Sequence, residues 1–155
     1  MDTIYSSYHP ILLYVDRYSF SEEWVYNEDQ VPYGLLRYII SGSACFEVNG
    51  TKYEVKKDDV FYSPISCRFS CEAHERITFI SARFIGSVQL PGMDMLLQLW
   101  GIGQMYNFAS QPEMRQWFEL LLQSAVSGTN YRKLETISYL NLICANLAKK
   151  ASSPQ

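Results

Sequence analysis

Two arginines sit where apolar strands ought to run on uninterrupted. Arg37 breaks Leu35-Leu36-Arg37-Tyr38-Ile39-Ile40, and Arg83 breaks Phe79-Ile80-Ser81-Ala82-Arg83-Phe84. A guanidinium presents five N–H donors in a rigid fork and keeps its charge at any physiological pH. Taken into an interior it needs a carboxylate, a carbonyl or a ligand as partner. Strand alternation separates Leu35, Arg37 and Ile39 from Leu36, Tyr38 and Ile40, without saying which set points inward. Arg37 is therefore either the anchor of a pocket or an outward residue in a surface ion pair, and Arg83 poses the same choice.

Other reactive groups are sparse. His9 and His74 lie far apart in the chain, and His74 between Glu72 and Glu75 reads as a loop histidine. A metal centre needs several imidazoles or carboxylates converging on one ion, so no metal and no cofactor is expected. Cys45, Cys67, Cys71 and Cys144 do not form two tight pairs, and positions 67 and 71 share one face of a strand, as small buried apolar residues would. Glu22-Glu23 and Asp58-Asp59 are adjacent pairs that an extended chain sends to opposite faces, which makes neither a natural acid–base dyad. Phosphate loops, nucleophile elbows and His-Glu-x-x-His are absent.

The elements that must position these residues follow from period. The 155 residues, 48% hydrophobic and 19% charged, suit one globular domain with a core of its own. Residues 1–128 carry 9 basic and 15 acidic side chains, and residues 129–155 carry 4 and 1. The larger part would repel a phosphate backbone, so this stretch is not expected to bind nucleic acid directly. No run of 18 apolar residues suggests a membrane span, and the first twenty residues lack a secretory pattern. A cytoplasmic location without membrane partners is the expectation.

Residues 10–84 read as short antiparallel strands. Asn49-Gly50 between β-forming runs predicts a type I′ hairpin. Asp58-Asp59 predicts a turn, and Ile77–Ile85 a long strand. Turns about every ten residues predict a sandwich or small barrel. After Pro91-Gly92 the period changes. A short helix is expected near 93–100. Ser110, Pro112 and Glu113 suggest a capping box opening a helix whose stripe runs through Met114, Trp117, Phe118, Leu121, Leu122 and Ala125 and ends at Gly128. A second helix is expected over about Tyr131–Lys149. Its broad apolar surface, including Leu134, Ile137, Leu140, Ile143, Cys144 and Leu147, suits either a packed core helix or a helix-mediated homodimer.

Tyr33-Gly34-Leu35-Leu36-Arg37-Tyr38-Ile39-Ile40-Ser41-Gly42-Ser43 and the stretch from Val48 through Asn49, Gly50, Asp58 and Asp59 to Pro64 resemble the N-terminal cupin-like effector domain of AraC-family transcription regulators. The resemblance implies a mostly-β fold: a cupin-like antiparallel double-stranded β-helix or barrel followed by two C-terminal α-helices. It implies an N-terminal arm (1–9), an effector-binding barrel (10–109), a helical dimerisation segment (110–150) and the start of a linker (151–155) to a DNA-binding domain outside this chain. Two departures stand out. The family's Gly-Asp turn is Asp58-Asp59 here, and Arg68 falls where metal cupins carry histidine. Arabinose-binding members have sugar-facing histidine and tryptophan where this chain offers Phe79 and Ser81.

The implied function is a small-molecule-sensing, non-enzymatic regulatory domain, its effector a sugar or another small compound. The expected pocket residues are Arg37, Tyr38, Trp24, Tyr18, Phe69, Phe79, Ser81 and Arg83. DNA would be reached only through the separate domain. The rival readings are a metal-independent cupin enzyme such as a sugar isomerase, which requires an acid–base group in the pocket, and a stand-alone binding or oligomerisation domain.

Overall fold

A computed structural model describes residues 2–153. Nine strands, β1 (Pro10–Phe20), β2 (Val25–Glu28), β3 (Gly34–Ser41), β4 (Ser43–Val48), β5 (Thr51–Lys56), β6 (Asp59–Ser63), β7 (Phe69–Ala73), β8 (Ile77–Gly86) and β9 (Met105–Asn107), are joined by α1 (Asp2–Ser7), α2 (Met95–Trp100), α3 (Glu113–Ala125) and α4 (Asn130–Ser152). They form two antiparallel sheets, in the orders β1-β8-β3-β6-β9 and β2-β7-β4-β5. The fold is mostly β with two C-terminal helices, a cupin-like architecture.

The five-stranded sheet is covered on both faces. Leu35, Ile39, Phe61, Ile77 and Phe79 point toward the four-stranded sheet and meet Phe46 and Phe69. Leu36, Tyr38, Val60, Ile80 and Ala82 point the other way, onto Phe118, Leu121, Leu140, Ile143 and Leu147 of the helices. This double coverage explains why β3 is buried from Gly34 through Ile39: a strand with two dry faces reads as a continuous apolar run rather than an alternation. Full burial of each such large side chain contributes about 1.5–3 kcal/mol.

Turn chemistry sets the corners. Asn49 and Gly50 both have positive φ, 49° and 90°, as the type I′ hairpin between β4 and β5 requires. Asp58 takes φ 71°, so the left-handed conformation persists although glycine is replaced. Its carboxylate accepts the Tyr38 hydroxyl at 2.7 Å, a local bond that helps hold an aspartate in this region. Asp59 is buried but accepts from the Lys56 N–H and from Asn107 Nδ2, at 2.9 Å each.

The helices depart from the expected caps. α3 begins at Glu113 with Pro112 at its N-cap and no side-chain capping bond, so the capping box at Ser110 does not form. α2 is capped by Asp94, whose side chain accepts the Leu97 N–H and also the Tyr62 hydroxyl. α4 runs through Ser152, past the expected end at Lys149 and into the segment expected to begin a linker. Pro154 and Gln155, like Met1 of the expected arm, lie outside the described residues. The rest of that arm forms α1, and Tyr8 is buried against Trp100. Among the described residues no helix is long and apolar enough to cross a membrane.

Gly42 carries the chain from one sheet to the other. It has φ +85°, and an added Cβ would lie 2.0 Å from the Arg76 carbonyl oxygen. Gly42→Ala is therefore expected to lower the unfolding free energy by about 2–4 kcal/mol, read as a drop in urea midpoint at unchanged slope, whereas Gly50→Ala, with open space around it, should cost less.

Candidate functional site

β3 settles the question its alternation leaves open. Arg37 points between the sheets with Leu35 and Ile39, and only 8% of it is exposed. Its guanidinium carbon lies 4.5 Å from the ring centre of Phe79, 5.1 Å from Phe69, 5.2 Å from Phe46 and 5.7 Å from Trp24. Each such contact stabilises a desolvated cation by about 0.5–2 kcal/mol. Nη1 donates to Cys71 Sγ at 3.3 Å. Burial pushes the Cys71 thiol up to about 11, with Arg37 pulling the other way, so the sulfur stays a neutral, weak acceptor. Arg37 Nε is buried without a partner, and Arg37 takes part in no ion pair among the described residues. A cation held in this way lacks the counter-charge that its burial requires.

Arg37 lines a cavity of about 80 Å³ at the mouth of the barrel, small beside drug-sized pockets. Pairing of β3 with β8 puts Arg37 opposite Ser81 and Leu35 opposite Arg83, so both arginines share one face. Arg83 is half-buried, its guanidinium carbon 4.8 Å from the ring centre of Tyr33. Tyr18, Trp24, Phe69, Phe79, Ser81 and Arg83 all join Arg37 in the cavity wall. Tyr38 does not. It lies on the opposite face of β3, packed on Phe118 and bonded to Asp58, because its neighbour Arg37 takes the inward position.

The sequence reading did not single out Tyr26 and Glu28, which the short strand β2 brings into the same wall. The Tyr26 hydroxyl donates to Glu28. Burial first, and the bond to Glu28 second, raise the tyrosine well above its ordinary value, so it keeps its proton and Glu28 is the acceptor of the pair. The available signal was the alternation in Val25-Tyr26-Asn27-Glu28, which sets Tyr26 and Glu28 on one face.

Of the six residues considered for a dimer interface, Leu140, Ile143, Cys144 and Leu147 are buried within this chain, and Leu134 and Ile137 are exposed. A larger groove, of about 650 Å³, runs between β1 and the turn joining α3 to α4. Its wall mixes aliphatic and polar residues, and its buried polar residue, Ser124, is already paired with the Leu121 carbonyl and Thr136. Among the described residues no group of three or more His, Cys, Asp or Glu is placed to hold a metal ion. His74 is exposed and pairs with Glu54 at 2.6 Å.

No family model matches the chain, and no curated protein matches it. Solved structures do. A predicted oxalate decarboxylase from Thermotoga maritima is 15% identical, with TM-score 0.45 over 54% of this chain and 72% of that one. A cupin-superfamily protein from Desulfitobacterium hafniense is 17% identical, with TM-score 0.44 over 50% and 77%. YhaK from Escherichia coli is 10% identical, with TM-score 0.46 over 55% and 39%. These likenesses concern the fold. None of the three is named as a transcription regulator, and the expectation of a regulator's sensor domain is withdrawn. The exclusion of enzymatic activity and the assignments to the AraC family, transcription regulation and DNA binding are withdrawn with it.

The aromatic cage makes a stability prediction. Arg37→Met keeps the side-chain length and removes an uncompensated charge, so it is expected to hold or raise the unfolding free energy, by up to about 3 kcal/mol. Urea denaturation checks this, and a clear loss would make Arg37 a structural residue. The chain is a cupin-like double-stranded β-sheet domain.

Proposed function

We propose that this chain is a metal-independent cupin-like enzyme that takes a small carboxylate into the barrel mouth, with Arg37 as anchor, Glu28 as the base and Tyr26 as the residue that positions it. The observation that carries this reading is the guanidinium of Arg37, buried among four aromatic rings with an unpartnered Nε and no carboxylate. A planar fork of donors matches a carboxylate in two parallel bonds. The cavity is small and aromatic, which suits a short acid and strengthens each charge contact by excluding water.

The acid–base group that an isomerase reading requires is supplied by Glu28. Its carboxylate takes a proton from a carbon beside the ligand's carbonyl group. The electron pair moves onto the carbonyl oxygen, and the proton returns to the same carbon as the carbonyl re-forms. Tyr26 holds Glu28 in place and stays protonated throughout. A positioned base of this kind contributes about 10²–10⁴-fold.

Pyruvate is a suitable probe, because its methyl protons exchange with solvent when an enolate forms. Calorimetric titration should show pyruvate binding and xylose failing to bind. Arg37→Gln should weaken pyruvate by about 10–100-fold. Proton NMR in deuterium oxide should show methyl exchange catalysed by the wild-type chain and abolished in Glu28→Gln. Binding of xylose but not pyruvate would overturn the carboxylate reading, and binding without exchange would overturn the enzymatic one.

A further inference from the structure

We infer that the molecule held by Arg37 is a dianion, a short dicarboxylate whose second carboxylate docks on Arg83. This rests on the reading of Arg37 as a carboxylate anchor. The two arginines are diagonal neighbours on paired strands, Arg37 facing Ser81 and Arg83 facing Leu35, an arrangement that separates the backbone positions by about 7–8 Å and lets long side chains reach a common ligand. Both line the one small cavity. Neither takes part in an ion pair among the described residues. The guanidinium carbon of Arg83 lies 4.8 Å from the ring centre of Tyr33 and 6.0 Å from that of Tyr14.

Neither neighbouring carboxylate forms an ion pair with Arg83. Asp16, opposite Ser81 on β1, accepts the Tyr14 hydroxyl at 3.0 Å and the Arg17 N–H at 2.8 Å. Glu28, the acidic member of the cavity wall, accepts from Tyr26. A chain of net charge -3 thus gathers two guanidiniums without an ion-pair partner, and a single carboxylate, Glu28, in one pocket wall. A monocarboxylate on Arg37 would leave the second one unmatched, whereas a diacid of three or four carbons offers one carboxylate to each. Ser81, directly across from Arg37 and two residues before Arg83 on β8, also lines the cavity and has a hydroxyl that can donate to a carboxylate.

Succinate and butyrate share a four-carbon chain and differ by one carboxylate, so calorimetric titration of the full chain with each isolates the second charge. Succinate is expected to bind at least 10-fold tighter than butyrate, and Arg83→Gln is expected to erase that difference. Arg83→Lys, which keeps the charge without the fork, should restore part of it, and thermal melts establish that both variants are folded. Equal affinity for the two acids, with both weakened by Arg37→Gln, would overturn the dianion and leave the single-carboxylate reading standing. Failure of either acid to bind, or binding indifferent to Arg37→Gln, would remove both.

Discussion

A bare cation in the middle of a small barrel is the constraint around which this protein is organised. Moving a guanidinium out of water costs several kcal/mol even after relaxation, and here no acidic side chain offsets it. What offsets it in part is the electron-rich face of four rings, contributed by Trp24 before β2, Phe46 on β4, Phe69 on β7 and Phe79 on β8. Those rings come from both sheets and from distant stretches of chain. The cage exists only when the two sheets have closed on one another, so the polar centre and the hydrophobic core form together.

The five-stranded sheet is the wall that makes this possible. Its inner face carries the cage and its outer face carries the helices, so each inward residue is braced by a neighbour packed behind it. Tyr38 illustrates the coupling. By bonding Asp58 and packing against Phe118, it ties the turn after β5 to α3 on the face of β3 opposite Arg37.

Much of the frame was legible from residue order alone. Asn49-Gly50 and the stripe of α3 are local signals with local causes, whereas the double burial of β3 was hidden because Arg37 interrupts its apolar run. Arg37 and Arg83 were conspicuous because charge within such runs is costly. Their sidedness was not legible, because alternation defines two faces and only the packing partner of each face decides which is inside. Tyr26 and Glu28 went unsuspected because β2 has four residues and its place in the wall depends on pairing with β7. The Ser110 capping box failed because Pro112 itself takes the N-cap position.

The three tryptophans are divided between the halves of the molecule. Trp100 and Trp117 lie against the helical core, while Trp24 is stacked on Phe20 at 4.4 Å and lies 5.7 Å from the Arg37 charge. An indole senses electric field through its excited state, and a ligand that neutralises Arg37 changes the field at this ring far more than at the other two. Were the proposed carboxylate to dock on Arg37, Trp24 would report its arrival optically, with Trp100 and Trp117 in the helical half as internal references.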